Sequence, residues 1–139
     1  MKRLCLMILI SVLLMTGSLA EEASIDLDLT AFTGNILTDK VSDIRSNPAS
    51  YDGMTVRIRG QYYAYGTEPD MDRSLIVCEN SCCLEVGMKL LPADGADPVW
   101  PENNQVIEIV GTVESYETAT GNIASRLRVL SVNPASLSN

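Results

Sequence analysis

Val56-Arg57-Ile58-Arg59-Gly60 and Ile107-Glu108-Ile109-Val110-Gly111 are two versions of one device: β-branched residues two apart, then a glycine, then more strand-forming sequence. Apolar residues at a spacing of two fall on one face of an extended chain, so each run reads as a strand with a buried side and a wet side. In the first run Val56, Ile58 and Gly60 point one way, and Thr55, Arg57 and Arg59 the other. A glycine inside a long strand marks a bulge or a sharp bend. A bent strand can serve two parts of a curved sheet, which small closed barrels require. The echo is too short to be an internal repeat.

The rest of the chain fits the same class. The first long strand is expected over Met54 to Tyr65. Ser74 to Cys78 and Cys82 to Lys89 read as shorter strands joined by Glu79-Asn80-Ser81, a connection of hairpin length. Pro92 to Asn104 holds three prolines and a glycine and reads as irregular. A last strand is expected over Arg126 to Val132. Ahead of these, Thr38 to Arg45 reads as a short helix, with Thr38 as cap, Asp39 and Arg45 suited to its two ends, and Val41 and Ile44 on one face. Pro48 stops it, and Tyr51-Asp52-Gly53 turns the chain into the first long strand. Ser24 to Thr30 alternates strictly and reads as a short strand or an extended arm. The expectation is an all-β domain over residues 38–139, with five core strands and one helix in front, after an amino-terminal arm over 21–37.

The first twenty residues belong to a different logic. Lys2 and Arg3 precede an apolar run from Leu4 to Leu14, and Ser18-Leu19-Ala20 puts small residues where a signal peptidase reads. The run is shorter than the roughly 20 residues of a bilayer-spanning helix. Cys5 lies at the start of the run, far ahead of Ala20, so it cannot be a lipid-anchored cysteine at the cleavage point. The expected mature chain begins at Glu21, periplasmic or secreted, with no stable membrane insertion.

Cleavage removes two of the ten basic residues and none of the eighteen acidic ones, leaving eight against eighteen, a net charge of −10. Such a surface repels phosphate backbones, so nucleic acid is not an expected partner. Histidine is absent, which removes the commonest general base and metal ligand, and with them any serine or cysteine nucleophile activated by histidine. No carboxylate pair stands out for acid–base chemistry, and no catalytic residue or cofactor is expected. Glu68, Asp70 and Asp72, and separately Asp94 and Asp97, lack calcium-loop spacing and read as solvated loop carboxylates.

Asn47-Pro48-Ala49-Ser50-Tyr51-Asp52-Gly53-Met54-Thr55-Val56-Arg57-Ile58-Arg59-Gly60 resembles the opening of bacterial exported OB-fold domains, in which a helix ends at Asn-Pro, a Tyr-Asp-Gly turn follows, and the first barrel strand ends in glycine. Val106 to Val113 resembles their fourth strand. The resemblance covers residues 40–132 and implies a five-stranded Greek-key barrel. The chain departs from the pattern between Pro92 and Asn104, where the usual helix between the third and fourth strands is missing. Arg73 to Cys78 with Cys82-Cys83 is more distantly similar to the carboxy-terminal exported domain of a permease-partner family of unknown function.

An OB-like barrel presents its first strand and its loops to ligands. Arg57, Arg59, Tyr63 and Tyr65 share one side of that strand and form the candidate ligand face, with Trp100 as a further anchor or as a plug over one barrel end. The partner implied is a protein or small molecule of the cell envelope. The cysteines admit two readings. Cys78 and Cys82 flank a three-residue loop and can face each other as a disulfide, leaving Cys83 as a lone thiol on the opposite face. Alternatively Cys78, Cys82 and Cys83, completed by Glu79, Glu85 or Met88, form a soft-metal site for copper(I) or zinc.

Protein exported by its own amino-terminal segment is expected to show the intact mass of residues 21–139 less two hydrogens, one titratable thiol and no metal. Three thiols with a bound soft metal ion would instead move the functional site to Cys78, Cys82 and Cys83.

Overall fold

A computed structural model describes residues 23–77 and 86–135. Among these residues the protein is mostly β, a mixed sheet of six strands with two helices. The strands are β1 (Leu27–Asp28), β2 (Thr55–Tyr65), β3 (Asp72–Val77), β4 (Val86–Pro92), β5 (Val106–Glu117) and β6 (Ile123–Pro134). They neighbour one another in the order β1-β2-β3-β4-β6-β5, and β5 also pairs with β2. The β1–β2 and β4–β6 pairs are parallel and the rest antiparallel.

The period-two pattern in β2 sorts as the sequence implies. Val56, Ile58 and Tyr62 are buried, while the residues between them face outward or are half-buried. β2 is long enough to have two successive partners. It pairs with β5 from Thr55 to Gln61, then with β3 from Gln61 to Tyr65. Gly60 sits at the changeover, where a Cβ would lie 2.7 Å from the Ile76 carbonyl oxygen and 2.9 Å from Leu75 Cγ. Its counterpart Gly111 marks a bulge: Val110 is opposite Ser131 but Gly111 is opposite Val129, so Leu130 is the extra residue. A Cβ at 111 would lie 2.9 Å from the Arg128 carbonyl oxygen. Gly111 thus marks the bulge expected of it, and Gly60 marks the point where β2 changes partner.

Helix α1 spans Gly34–Ser46 and α2 spans Pro48–Tyr51. The helix expected to start at Thr38 begins four residues earlier, and the correction has a packing cause. Leu37, Val41 and Ile44 form a stripe at i, i+4 and i+7, and Leu37 already packs against the core. Thr38 is inside the helix, its hydroxyl donating to the Gly34 carbonyl at 3.3 Å. Pro48 ends α1 as expected but also opens α2 at its first turn, where a missing N–H costs nothing. Asp43 ties the two helices together by accepting from Asn47 Nδ2 at 2.6 Å and from the Tyr51 hydroxyl.

The stretch from Ser24 to Thr30 is not one strand. Only Leu27 and Asp28 pair with β2, and Leu29–Ala31 coils into a 3₁₀ turn. The Asp28 side chain accepts from the Thr30 N–H at 3.0 Å and so competes with continued extension. Leu29 is fully buried, which brings part of the expected arm into the core. The boundary expected at 37/38 falls inside α1. The expected strand edges also shift: β3 starts two residues earlier, β4 reaches Pro92, and β5 and β6 each extend beyond their expected ends. Residues 93–105 contain no helix, as the prolines indicated. The connection around Glu79-Asn80-Ser81 lies outside the described residues.

Gly60→Ala is expected to destabilise the fold by about 1–3 kcal/mol, the cost of overpacking against backbone that cannot swing away. Urea unfolding checks this: the midpoint should fall with an unchanged slope. An unchanged midpoint would mean that β2 and β3 can separate there without loss.

Candidate functional site

Alternation along β2 puts Arg57, Arg59, Tyr63 and Tyr65 on the outer side, away from the buried Val56, Ile58 and Tyr62. The face divides into two halves. In the first, Arg57 lies 3.4 Å from Asp28 and 3.7 Å from Glu108, and Arg59 lies 3.2 Å from Glu108. Glu108 is the cross-strand partner of Arg59 on β5, so pairing register alone brings the three charges together. The Thr30 hydroxyl, assisted by Arg57, holds the Asp28 carboxyl below its ordinary range. The arginines are thus neutralised within the protein, in pairs of the kind worth at most about 1 kcal/mol each. In the second half the aromatic rings stand clear: Tyr63 is 38% exposed and Tyr65 86%.

Trp100 does not join this face. It stacks on the inward-facing Tyr62, with ring centroids 5.8 Å apart and planes 18° from parallel. The Arg73 guanidinium lies 4.9 Å from the Trp100 ring centroid and also pairs with Glu68. Backbone and side-chain bonds stitch the loop carrying Trp100 to β2. Asn103 exchanges two hydrogen bonds with the Ala64 main chain, at 2.6 and 3.0 Å, as a neighbouring strand would. The Asn104 N–H donates to the Tyr62 carbonyl, and the Tyr62 N–H donates to Gln105. Trp100 is half-buried and packs against the core.

The loop carboxylates are mostly engaged. Glu68 pairs with Arg73, Asp72 lies 2.7 Å from Lys89, and Asp94 lies 3.9 Å from Arg128. Among the described residues no three His, Cys, Asp or Glu side chains converge as a metal site. Cys78, Cys82 and Cys83 lie outside the described residues, as do Glu79 and Glu85. Met88 is buried in the core.

A second site was not apparent from the sequence. Between α1 and the sheet lies a cleft of about 470 Å³, lined by Ser42, Arg45 and Ser46 of α1, Lys89 of β4, Tyr116 of β5 and Ser125 of β6. Residues 42, 45 and 46 occupy one helical face at i, i+3 and i+4, which is a legible spacing. Nothing in the sequence pairs that face with Lys89 or Ser125; only the packing of α1 across β4 and β6 does so. Arg45, read as a residue suited to the helix end, turns out to line this cleft. Beside it, Glu114 accepts from Arg126 and from Arg128, whose Nε is 2.8 Å away, and Arg126 lies 4.5 Å from the Tyr116 ring centroid. Among the described residues no helix is long and apolar enough to cross a membrane.

The Arg126 guanidinium, followed by that of Arg128, lowers the Glu114 carboxyl below its ordinary 4.5. The fold therefore favours the ionised form: its contribution is complete above the ordinary value and is lost as pH falls through the lowered one. Glu114→Gln is expected to flatten part of the acid limb of a stability–pH curve below about pH 5. Asp28, Asp43 and Asp52, also lowered by hydrogen bonds, maintain the remainder. An unaltered acid limb would remove Glu114 from that account. Neither a family model nor a curated protein matches this chain.

Proposed function

We propose that the protein is an exported, non-catalytic binding module on a five-stranded OB-like barrel, using the outer side of β2 to engage a protein or small molecule of the cell envelope. The observation that carries this reading is the return of β5 onto β2. It makes the pairing order β2-β3-β4-β6-β5-β2, with a parallel contact between β4 and β6. That is the order of a small Greek-key barrel, and such a frame leaves the first strand and the loops for recognition. The exposed rings of Tyr63 and Tyr65 support the choice of face, since aromatic side chains supply contact area at low entropic cost. Export rests on the charged, apolar and small-residue order of residues 1–20.

The test uses a glycan array and a peptide array probed with the mature protein. Joint replacement of Tyr63 and Tyr65 by alanine is expected to abolish capture while moving stability by no more than about 0.5 kcal/mol, as for surface sites. Trp100→Ala is expected to cost on the order of 2 kcal/mol or more, because it opens the packing over Tyr62. Capture that survives loss of both tyrosines, or no capture on either array, would overturn the assignment of this face.

A further inference from the structure

Among the described cations Arg45 and Lys40 have no carboxylate within ion-pair distance, and of the two Arg45 lines the cleft. Arg57, Arg59, Arg73, Lys89, Arg126 and Arg128 all lie within ion-pair distance of a carboxylate. No described carboxylate lies within that distance of Arg45. Arg45 lines the cleft beside α1 together with Lys89, whose three-donor ammonium lies 2.7 Å from the Asp72 carboxylate. Ser125, also lining the cleft, is 9% exposed, and its Oγ is buried with no hydrogen-bond partner among the described residues. Buried hydroxyls ordinarily have a partner. Ser42 and Ser46 add further hydroxyls from α1.

We infer that this cleft binds a small hydroxylated oxyanion, its carboxylate or phosphate held by Arg45 and Lys89 and its body hydrogen-bonded by Ser125. The volume of about 470 Å³ suits a single small ligand. A guanidinium with no partner among the described carboxylates can present two parallel N–H donors to an oxyanion. The net charge of the chain is −8, which repels anions at long range. Salt screens that field beyond about 8 Å at physiological ionic strength, whereas contact with Arg45 is much shorter. The site is separate from the outer face of β2 and stands or falls independently of it.

Titration calorimetry with inorganic phosphate, glucose 6-phosphate, glucuronate and glucose tests the inference. At least one anionic probe should bind and glucose should not. Glucuronate alone would identify a carboxylate site, and either phosphate probe a phosphate site. Arg45→Gln should weaken binding by about tenfold or more, and Ser125→Ala by severalfold, in line with loss of charged and neutral hydrogen bonds. Lys40→Gln, on the same helix but outside the cleft, should leave binding within about twofold. Thermal unfolding of Arg45→Gln should match wild type, which separates lost binding from lost fold. No binding by any anionic probe, or equal effects of the Arg45 and Lys40 substitutions, would overturn the inference.

Discussion

The changeover of β2 from β5 to β3 at Gln61 is the constraint on which the rest of the structure depends. One strand must satisfy two partners in succession without losing its alternation, and Gly60 permits this because the Ile76 carbonyl occupies the space a Cβ would need. Once β2 bends there, Val56 and Ile58 bury beneath one set of neighbours and Tyr62 beneath another. The bulge at Gly111 and Leu130 makes the complementary adjustment between β5 and β6. The two glycines thus set the curvature, and curvature decides which side chains meet inside.

Charge is organised by the same register. An acidic chain with few cations matches four of its six described guanidiniums to carboxylates across strand pairs: Arg57 and Arg59 to Glu108, and Arg126 and Arg128 to Glu114. These pairs add little stability singly. Their effect is to quiet the outer face of the sheet, leaving two kinds of unsatisfied surface. One is aromatic, at Tyr63 and Tyr65. The other is the cleft beside α1, lined by Arg45, Lys89 and hydroxyl side chains.

Legibility in the sequence followed the range of the forces involved. The long strands were visible because burial of alternate residues is written into the chain at a period of two. The helix core at Val41 and Ile44 was visible at i, i+3, but its true start was not, because Thr38 looks like a cap in isolation while Leu37 finds its partner only in the folded core. The alternation over Ser24 to Thr30 suits a short strand or an extended arm, but it does not show that a local turn draws Leu29 into the core. Trp100 stacking on Tyr62 depends on Asn103 imitating a strand neighbour, a long-range contact with no local signature.

By itself, then, the amino-acid order determined the class of fold, the buried faces of β2 and β5, the irregular loop after β4 and the absence of histidine chemistry. These are properties of single segments, governed by alternation, proline stereochemistry and side-chain inventory. Tertiary structure alone decided which charges neutralise one another, where Trp100 rests, and that Arg45, Lys89 and Ser125 share a cleft. Those outcomes require residues distant in sequence to be brought within a few ångströms, and only the closing of strand on strand and of α1 on the sheet does that.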